Sequence, residues 1–308
     1  MPLSYVLPIF LKMVSITMQQ RFDDIAQHVI YQKIKTEHPV QLEIKRLDLI
    51  HPHISGNKFY KLKYNLIEAQ RLGFKRVLSF GGAYSNHIAA TAYAAQLFGF
   101  QSIGVIRGEE LSQRALNPTL LTAQQHGMHL HFVSRENYKK KQDIKFLNQL
   151  RILYPDCYII PEGGSNALAL QGTSEILSVH DQNQYDVICC AVGTGGTIAG
   201  LIEASHTAQS VLGFSALKGN FLTETVQDYT QKTNWRITDD YCFGGYAKVS
   251  TELLNFIQDF EYKNQIPLEA IYTGKMLYGI FDLLKHDYFP KNSRILVIHS
   301  GGLQGRNH

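Results

Sequence analysis

The chain has 308 residues, 44% of them hydrophobic and 18% charged, with a formal net charge of +4. That length allows two domains or one large α/β domain, and the composition is that of a folded chain, which excludes disorder as the default. The positive excess is small and scattered, with no basic face or stripe, so no nucleic-acid partner is expected.

In chain order, the first seventeen residues, MPLSYVLPIFLKMVSIT, are apolar, but Pro8 and Lys12 interrupt them. No basic segment precedes the run, no small-residue cleavage site follows it, and it is too short to span a bilayer. Residues 1–20 therefore read as an N-terminal extension, with Met13 or Met18 as alternative starts. A cytoplasmic protein with no membrane partner is expected.

Strand-like runs follow at 41–48 (QLEIKRLD), 76–82, 101–108, 128–135, 157–164, 185–193, 210–217 and 293–302. Several are apolar throughout, as strands of a parallel sheet covered on both faces should be. Helix-length segments lie between them: 85–99 is Ala-rich and closes at Gly99, and 117–127 closes at Gly127. This alternation predicts a doubly wound α/β architecture. The four cysteines, Cys157, Cys189, Cys190 and Cys242, show no CxxC spacing and read as buried thiols. His129 and His131 share a strand face, but no third ligand accompanies them, so no metal is expected.

Four segments carry candidate chemistry. In SGNKFYKLKYNL (55–66), Gly56-Asn57 reads as a turn that puts Lys58 near a helix N-terminus. A cation is disfavoured there, which lowers a lysine pKa toward the neutral amine that can attack an aldehyde. Taken alone, a solvated lysine beside Lys61 and Lys63 is the commoner reading. FGGAYSNH (80–87) runs a strand into Gly81-Gly82 and opens a helix with Ser85 and Asn86, which are good caps and also present polar groups. VGTGGTIAG (192–200) follows a strand and offers backbone N–H groups and two threonines at a helix start, an anion site. It lacks the third glycine and the downstream acid of a dinucleotide fingerprint, which weakens a nucleotide-binding reading. Tyr272 in IYTGK and Ser300 in VIHSGG each stand at an element end, where open α/β sheets bind ligands.

In this order the segments resemble the family of D-cysteine desulfhydrase and 1-aminocyclopropane-1-carboxylate deaminase, within the tryptophan synthase β-like enzymes of fold type II. The resemblance runs from about residue 38 to 302 and rests on KRLD with SGNK-x-x-KL (45–62), GGAYSNH (81–87), GTGGT (193–197) and YTGK (272–275). It implies pyridoxal 5′-phosphate (PLP) as cofactor, bound as a Schiff base to Lys58. Asn86 would bond its 3′-oxygen, and Gly193, Thr194, Gly195, Gly196 and Thr197 would cradle its phosphate. Ser85 would lie by the substrate, and Tyr272 would exchange a proton with it. Tyr246 in FGGYAK would be a second active-site tyrosine.

Deaminases of the family carry glutamate after the tyrosine, next to the pyridine nitrogen, whereas desulfhydrases carry Thr or Ser; here the residue is Thr273. Ser300 stands where deaminases have an apolar residue. Both positions favour β-elimination from a small amino acid, D-cysteine first, giving pyruvate, ammonia and hydrogen sulfide. The alternatives on the same scaffold are 1-aminocyclopropane-1-carboxylate deamination and cysteate sulfo-lysis, and outside catalysis a PLP-binding regulatory or carrier protein. Tyr60 departs from the family, which usually carries a second basic residue there. The resemblance further implies a homodimer of two-domain subunits, with a large PLP-binding domain (21–60 and 161–308) and a small domain (61–160).

Overall fold

The strand-forming runs pair into two separate sheets in a computed structural model that describes residues 16–219 and 221–307. In chain order the strands are β1 Ile30–Ile34, β2 Gln41–Arg46, β3 Arg76–Gly81, β4 Gln101–Arg107, β5 Met128–Val133, β6 Cys157–Ile159, β7 Val187–Val192, β8 Ser210–Ser215, β9 Trp235–Thr238 and β10 Arg294–Ile298. The larger sheet has the order β1-β2-β10-β7-β8-β9 and the smaller β5-β4-β3-β6. β1 runs antiparallel to β2, and every other pairing is parallel. The smaller sheet lies wholly within residues 76–159.

Side-chain alternation sorts the central strands between two cores. Along β7, Ile188, Cys190 and Val192 enter one apolar cluster, while Cys189 and Ala191 enter the cluster on the opposite face. β10 divides the same way, with Leu296 and Ile298 on the first face and Ile295 and Val297 on the second. All six named residues of β7 and β10 that are Ile, Leu or Val are at most 2% exposed, so each contributes about 1.5–3 kcal/mol of burial. All four cysteines are buried and free.

The observed strands sit one to five residues inside the expected runs, and two were not expected. β1 alternates poorly because it is an edge strand, and β9 has only four residues. Met18 opens the helix Met18–Ala26, where it and Phe22 are buried and Phe22 stacks on Phe98 at 4.5 Å. Residues 18–20, placed in the extension by sequence, thus start a core-packed helix; residues 1–15 lie outside the described residues. No helix among the described residues is long and apolar enough to cross a membrane.

Three helices frame the junction between the sheets: Asn57–Arg71, Ala167–Ser174 and Gly196–Ala204. They approach so closely that a Cβ on Gly172 would stand 2.0 Å from the backbone oxygen of Tyr60. His129 and His131, on β5, lie against Tyr154 with ring centroids 5.8 and 5.6 Å away.

Candidate active site

The carboxyl ends of β3, β4, β7 and β10 open onto one cavity of about 1170 Å³. Lys58, Ser85, Asn86, Gly193, Thr194, Gly195, Thr197, Tyr246, Tyr272 and Ser300 all border it. Segments as far apart in sequence as 58 and 300 therefore meet, as strand-end sites of α/β sheets require.

Lys58 is placed by the turn before its helix. Gly56 has φ +67°, and a Cβ there would fall 1.8 Å from the carbonyl oxygen of Ser300, so only glycine permits this approach. The next amide, Asn57 N, donates to that same carbonyl at 3.2 Å. Lys58 Nζ donates to Asn57 Oδ1 at 3.0 Å, and Asn57 Nδ2 donates to Thr197 Oγ1 at 2.7 Å. One asparagine thus links the amine to the glycine turn. Burial pushes the Lys58 amine down to about 8, because desolvation penalises the ammonium.

Lys61 lies one helical turn further on and is 2% exposed. Its Nζ donates to Thr194 Oγ1 at 3.4 Å, and a Cβ on Gly196 would sit 3.4 Å from it. Desolvation and, second, the charge of Lys58 hold its amine well below the ordinary lysine range. The glycine turn starts the helix Gly196–Ala204, with Gly195 at φ +80°, so backbone N–H groups and the Lys61 amine converge on one small volume. An oxyanion of charge −2 is the natural guest. Gly196 does not border the cavity directly but lies behind it, against Lys61.

Opposite, Ser85 caps the helix Asn86–Phe98 by accepting from Ile88 N at 3.3 Å. Asn86 Nδ2 donates to the Gly302 carbonyl at 3.4 Å, while Asn86 Oδ1 is buried and has no partner among the described residues. His87 is buried beneath them. Ser79 Oγ gives its proton to the Ile160 carbonyl at 3.0 Å and so accepts from His87 Nε2 at 2.8 Å, which leaves Nδ1 bare. Burial holds this imidazole neutral.

The KRLD segment acts from behind. Arg46 grips Asp48 through two bonds of 2.9 and 2.7 Å, and Asp48 Oδ1 lies 3.3 Å from His299 Nδ1. The other ring nitrogen of His299 bonds the Pro267 carbonyl at 2.8 Å. This buried chain anchors the strand end that carries Ser300.

Thr273 is placed differently from the sequence expectation. It is wholly buried and does not border the cavity. Its hydroxyl donates to Glu269 Oε1 at 3.0 Å. Glu269 itself borders the cavity, and its carboxylate accepts from the amides of Ile271 (2.7 Å), Tyr272 (2.9 Å) and Thr273 (2.5 Å). Burial raises its pKa, against the pull of these amides. The acid facing the cleft thus comes from four residues before Thr273. Sequence reasoning missed both Glu269 and Lys61; helical spacing, i+3 from Lys58, was the available signal for Lys61, whereas Glu269 lies in the non-helical stretch before Thr273 and had none. Tyr272 precedes the helix Thr273–Lys285, and burial first, then Tyr246 and Glu269, holds its phenol far above the usual range.

A family model described as pyridoxal-phosphate dependent enzyme matches residues 29–301. A putative 1-aminocyclopropane-1-carboxylate deaminase of Thermotoga maritima is 32% identical over 294 residues, covering 89% of this chain and 92% of its own. The bifunctional, mitochondrial D-cysteine desulfhydrase/1-aminocyclopropane-1-carboxylate deaminase of Arabidopsis thaliana is 30% identical, over 86% of this chain and 73% of its own. The crystal structure of an ACC deaminase homologue superposes with a TM-score of 0.76 at 26% identity, over 91% of each chain.

Proposed function

The chain belongs to the family of pyridoxal-phosphate dependent enzymes, and from that premise we propose that it takes 1-aminocyclopropane-1-carboxylate to 2-oxobutyrate and ammonia, with one water consumed. Its fold is the two-domain α/β architecture of fold type II, and it acts as a lyase or deaminase on a small amino acid. The single observation that carries the site reading is the Lys58 amine, depressed to about 8 and tied through Asn57 to the turn at 193–197.

The residues present fit the cofactor. The turn and Lys61 offer amides, hydroxyls and a cation for a phosphate dianion. The unpartnered Asn86 carboxamide oxygen marks a polar group with bonding capacity to spare; its oxygen and nitrogen are interchangeable by a flip. Bound PLP supplies an aldehyde and an electron-accepting ring. Lys58, in its neutral form, would provide the amine for attachment and a base, which takes a ring methylene proton from 1-aminocyclopropane-1-carboxylate, a substrate with no α-hydrogen, or the α-proton of D-cysteine on the second reading. Ser85 and the amides around it face the substrate carboxylate, and Arg107 at the end of β4 adds positive charge at that rim. Tyr272 keeps its proton and so acts as a donor.

The sequence put D-cysteine first because Thr273 replaces a glutamate. That order is reversed here on two grounds. Glu269 brings a carboxylate to the cleft beside Thr273, and the relatives' names lean to the cyclopropane acid. β-Elimination from D-cysteine is the second reading, supported by the Ser300 hydroxyl at the cavity and the dual name of the Arabidopsis relative. Incubating the purified protein with 1-aminocyclopropane-1-carboxylate, D-cysteine, L-cysteine, D-serine and cysteate separates the possibilities. 2-Oxobutyrate from the first supports the proposal. Pyruvate from D-cysteine without any 2-oxobutyrate transfers it to elimination, and PLP binding with no oxo acid from any of them leaves a carrier. The expected homodimer is checked by sedimentation of the same preparation.

A further inference from the structure

Lys275 is the residue of the YTGK segment that the site itself does not use, and it is 1% exposed. Its Nζ donates to the Cys242 carbonyl at 2.7 Å and to the Gly245 carbonyl at 2.8 Å. The segment it grips is backbone that resists its own shape. Phe243, Gly244, Gly245 and Ala247 have φ of +52°, +88°, +122° and +56°. Two of these are not glycine, and a left-handed conformation at such residues persists only where surrounding contacts impose it. The contacts within the segment are sparse: Gly245 N donates to Cys242 O at 3.0 Å and Lys248 N to Gly245 O at 3.2 Å. The buried ammonium is the strongest bond donor the segment has, since charge-assisted bonds outweigh neutral ones.

The next residue is Tyr246, which is 53% exposed and borders the cavity, its ring centroid 6.2 Å from that of Tyr272 at 63°. Little packing holds such a side chain, so its position follows its backbone. Tyr272 is the residue just before the helix Thr273–Lys285, and Lys275 is the third residue of that helix, so one helix start carries both. The same helical turn therefore fixes the inner phenol directly and the outer phenol through the ammonium.

We propose that Lys275 is a positioning residue: by clamping the Cys242 and Gly245 carbonyls it sets the strained 243–247 turn so that Tyr246 faces Tyr272 across the substrate cavity. This rests on the proposed deaminase or lyase reading for its effect on rate, while the clamp itself stands apart from any substrate. Lys275 touches no reacting atom.

The test is a double-mutant cycle of Lys275→Met and Tyr246→Phe in the PLP-loaded full chain, with Lys275→Gln as a second variant that folds more readily. Each single change is expected to lower kcat by roughly tenfold or more, with KM moving less. In the Tyr246→Phe background, Lys275→Met is expected to add less than about twofold, because the two act through one contact. Effects that multiply independently would overturn the proposal, as would a Lys275→Met protein whose kcat stays within about twofold of the parent. Amide exchange over 242–248 is read in parallel and needs no substrate. Faster exchange confined to this segment is expected in either Lys275 variant, and unchanged exchange overturns the clamp. If no amino acid gives an oxo acid, the exchange result still stands, so failure of the activity reading and failure of the clamp are separate outcomes.

Discussion

Raising the pH should accelerate covalent capture of PLP by the apoprotein with a midpoint near 8, where an ordinary lysine would show one above 10. Only the neutral amine attacks an aldehyde. With Lys58 brought down to about 8, roughly 9% of it is neutral at pH 7, against about 0.04% for a free lysine of pKa about 10.4, an advantage of roughly 200-fold. The same shift has a stability counterpart. The folded value lies below the unfolded one, so between about 8 and 10.4 the unfolded chain binds more protons, and stability rises with pH across that window. The full excursion is about 3 kcal/mol as an upper bound, and below pH 8 the whole cost of holding Lys58 charged in its buried place is present. Lys61 and His87 lie near the same amine, and burial first, then the charge of Lys58, holds both well below their ordinary values. The assay is stopped-flow absorbance after mixing apoprotein with PLP between pH 6 and 10. N-acetyl-lysine run in parallel cancels the titration of PLP itself, and Lys58→Ala serves as blank. A midpoint near 10, or capture undiminished in Lys58→Ala, would refute the reasoning.

Three further outcomes are expected. Lys61→Gln removes a buried amine at the glycine turn that a phosphate dianion would hold protonated, and should weaken PLP binding by about 10- to 100-fold, read by titrating apoprotein fluorescence. Glu269→Gln takes the charge from a carboxylate that collects three amides. It should lower the melting temperature and depress release of 2-oxobutyrate from the cyclopropane acid more than any release of pyruvate from D-cysteine. Equal losses on the two substrates would remove the support Glu269 lends to deamination. Gly172→Ala forces a methyl group against the Tyr60 carbonyl, where 2.0 Å is available, and should cost about 1–3 kcal/mol in urea unfolding.

The alternating α/β architecture and the strand-end location of the site were legible because apolar runs bounded by glycine recur along the chain, and turns after such runs collect at one end of a parallel sheet. The placement of Lys58 was legible for a related reason: Gly56-Asn57 before a helix says where the chain turns. What that signal lacks is the third dimension. Lys61 reads as one more surface lysine until the helix Gly196–Ala204 is packed against its side, and Lys275 reads likewise until the 242–245 carbonyls close on it. Thr273 was placed by resemblance, which gives a position in a motif and not the partner its hydroxyl finds; here that partner is Glu269. The chain there has no side-chain cap of its own, and Glu269 takes that task through space. β1 and β9 escaped because edge strands bury too little to show a pattern.

The strand in the middle of the larger sheet, β10, is spelled by residues 294–298, long after both of its neighbours, β2 and β7. During synthesis, β2 and β7 therefore emerge with their inner edges bare, and they remain so until residues 294–298 have left the ribosome. Such unpaired edges invite intermolecular pairing, so the nascent protein has a long interval in which chaperones matter. A stop a few codons before 294 would excise the keel of the sheet rather than trim its stern.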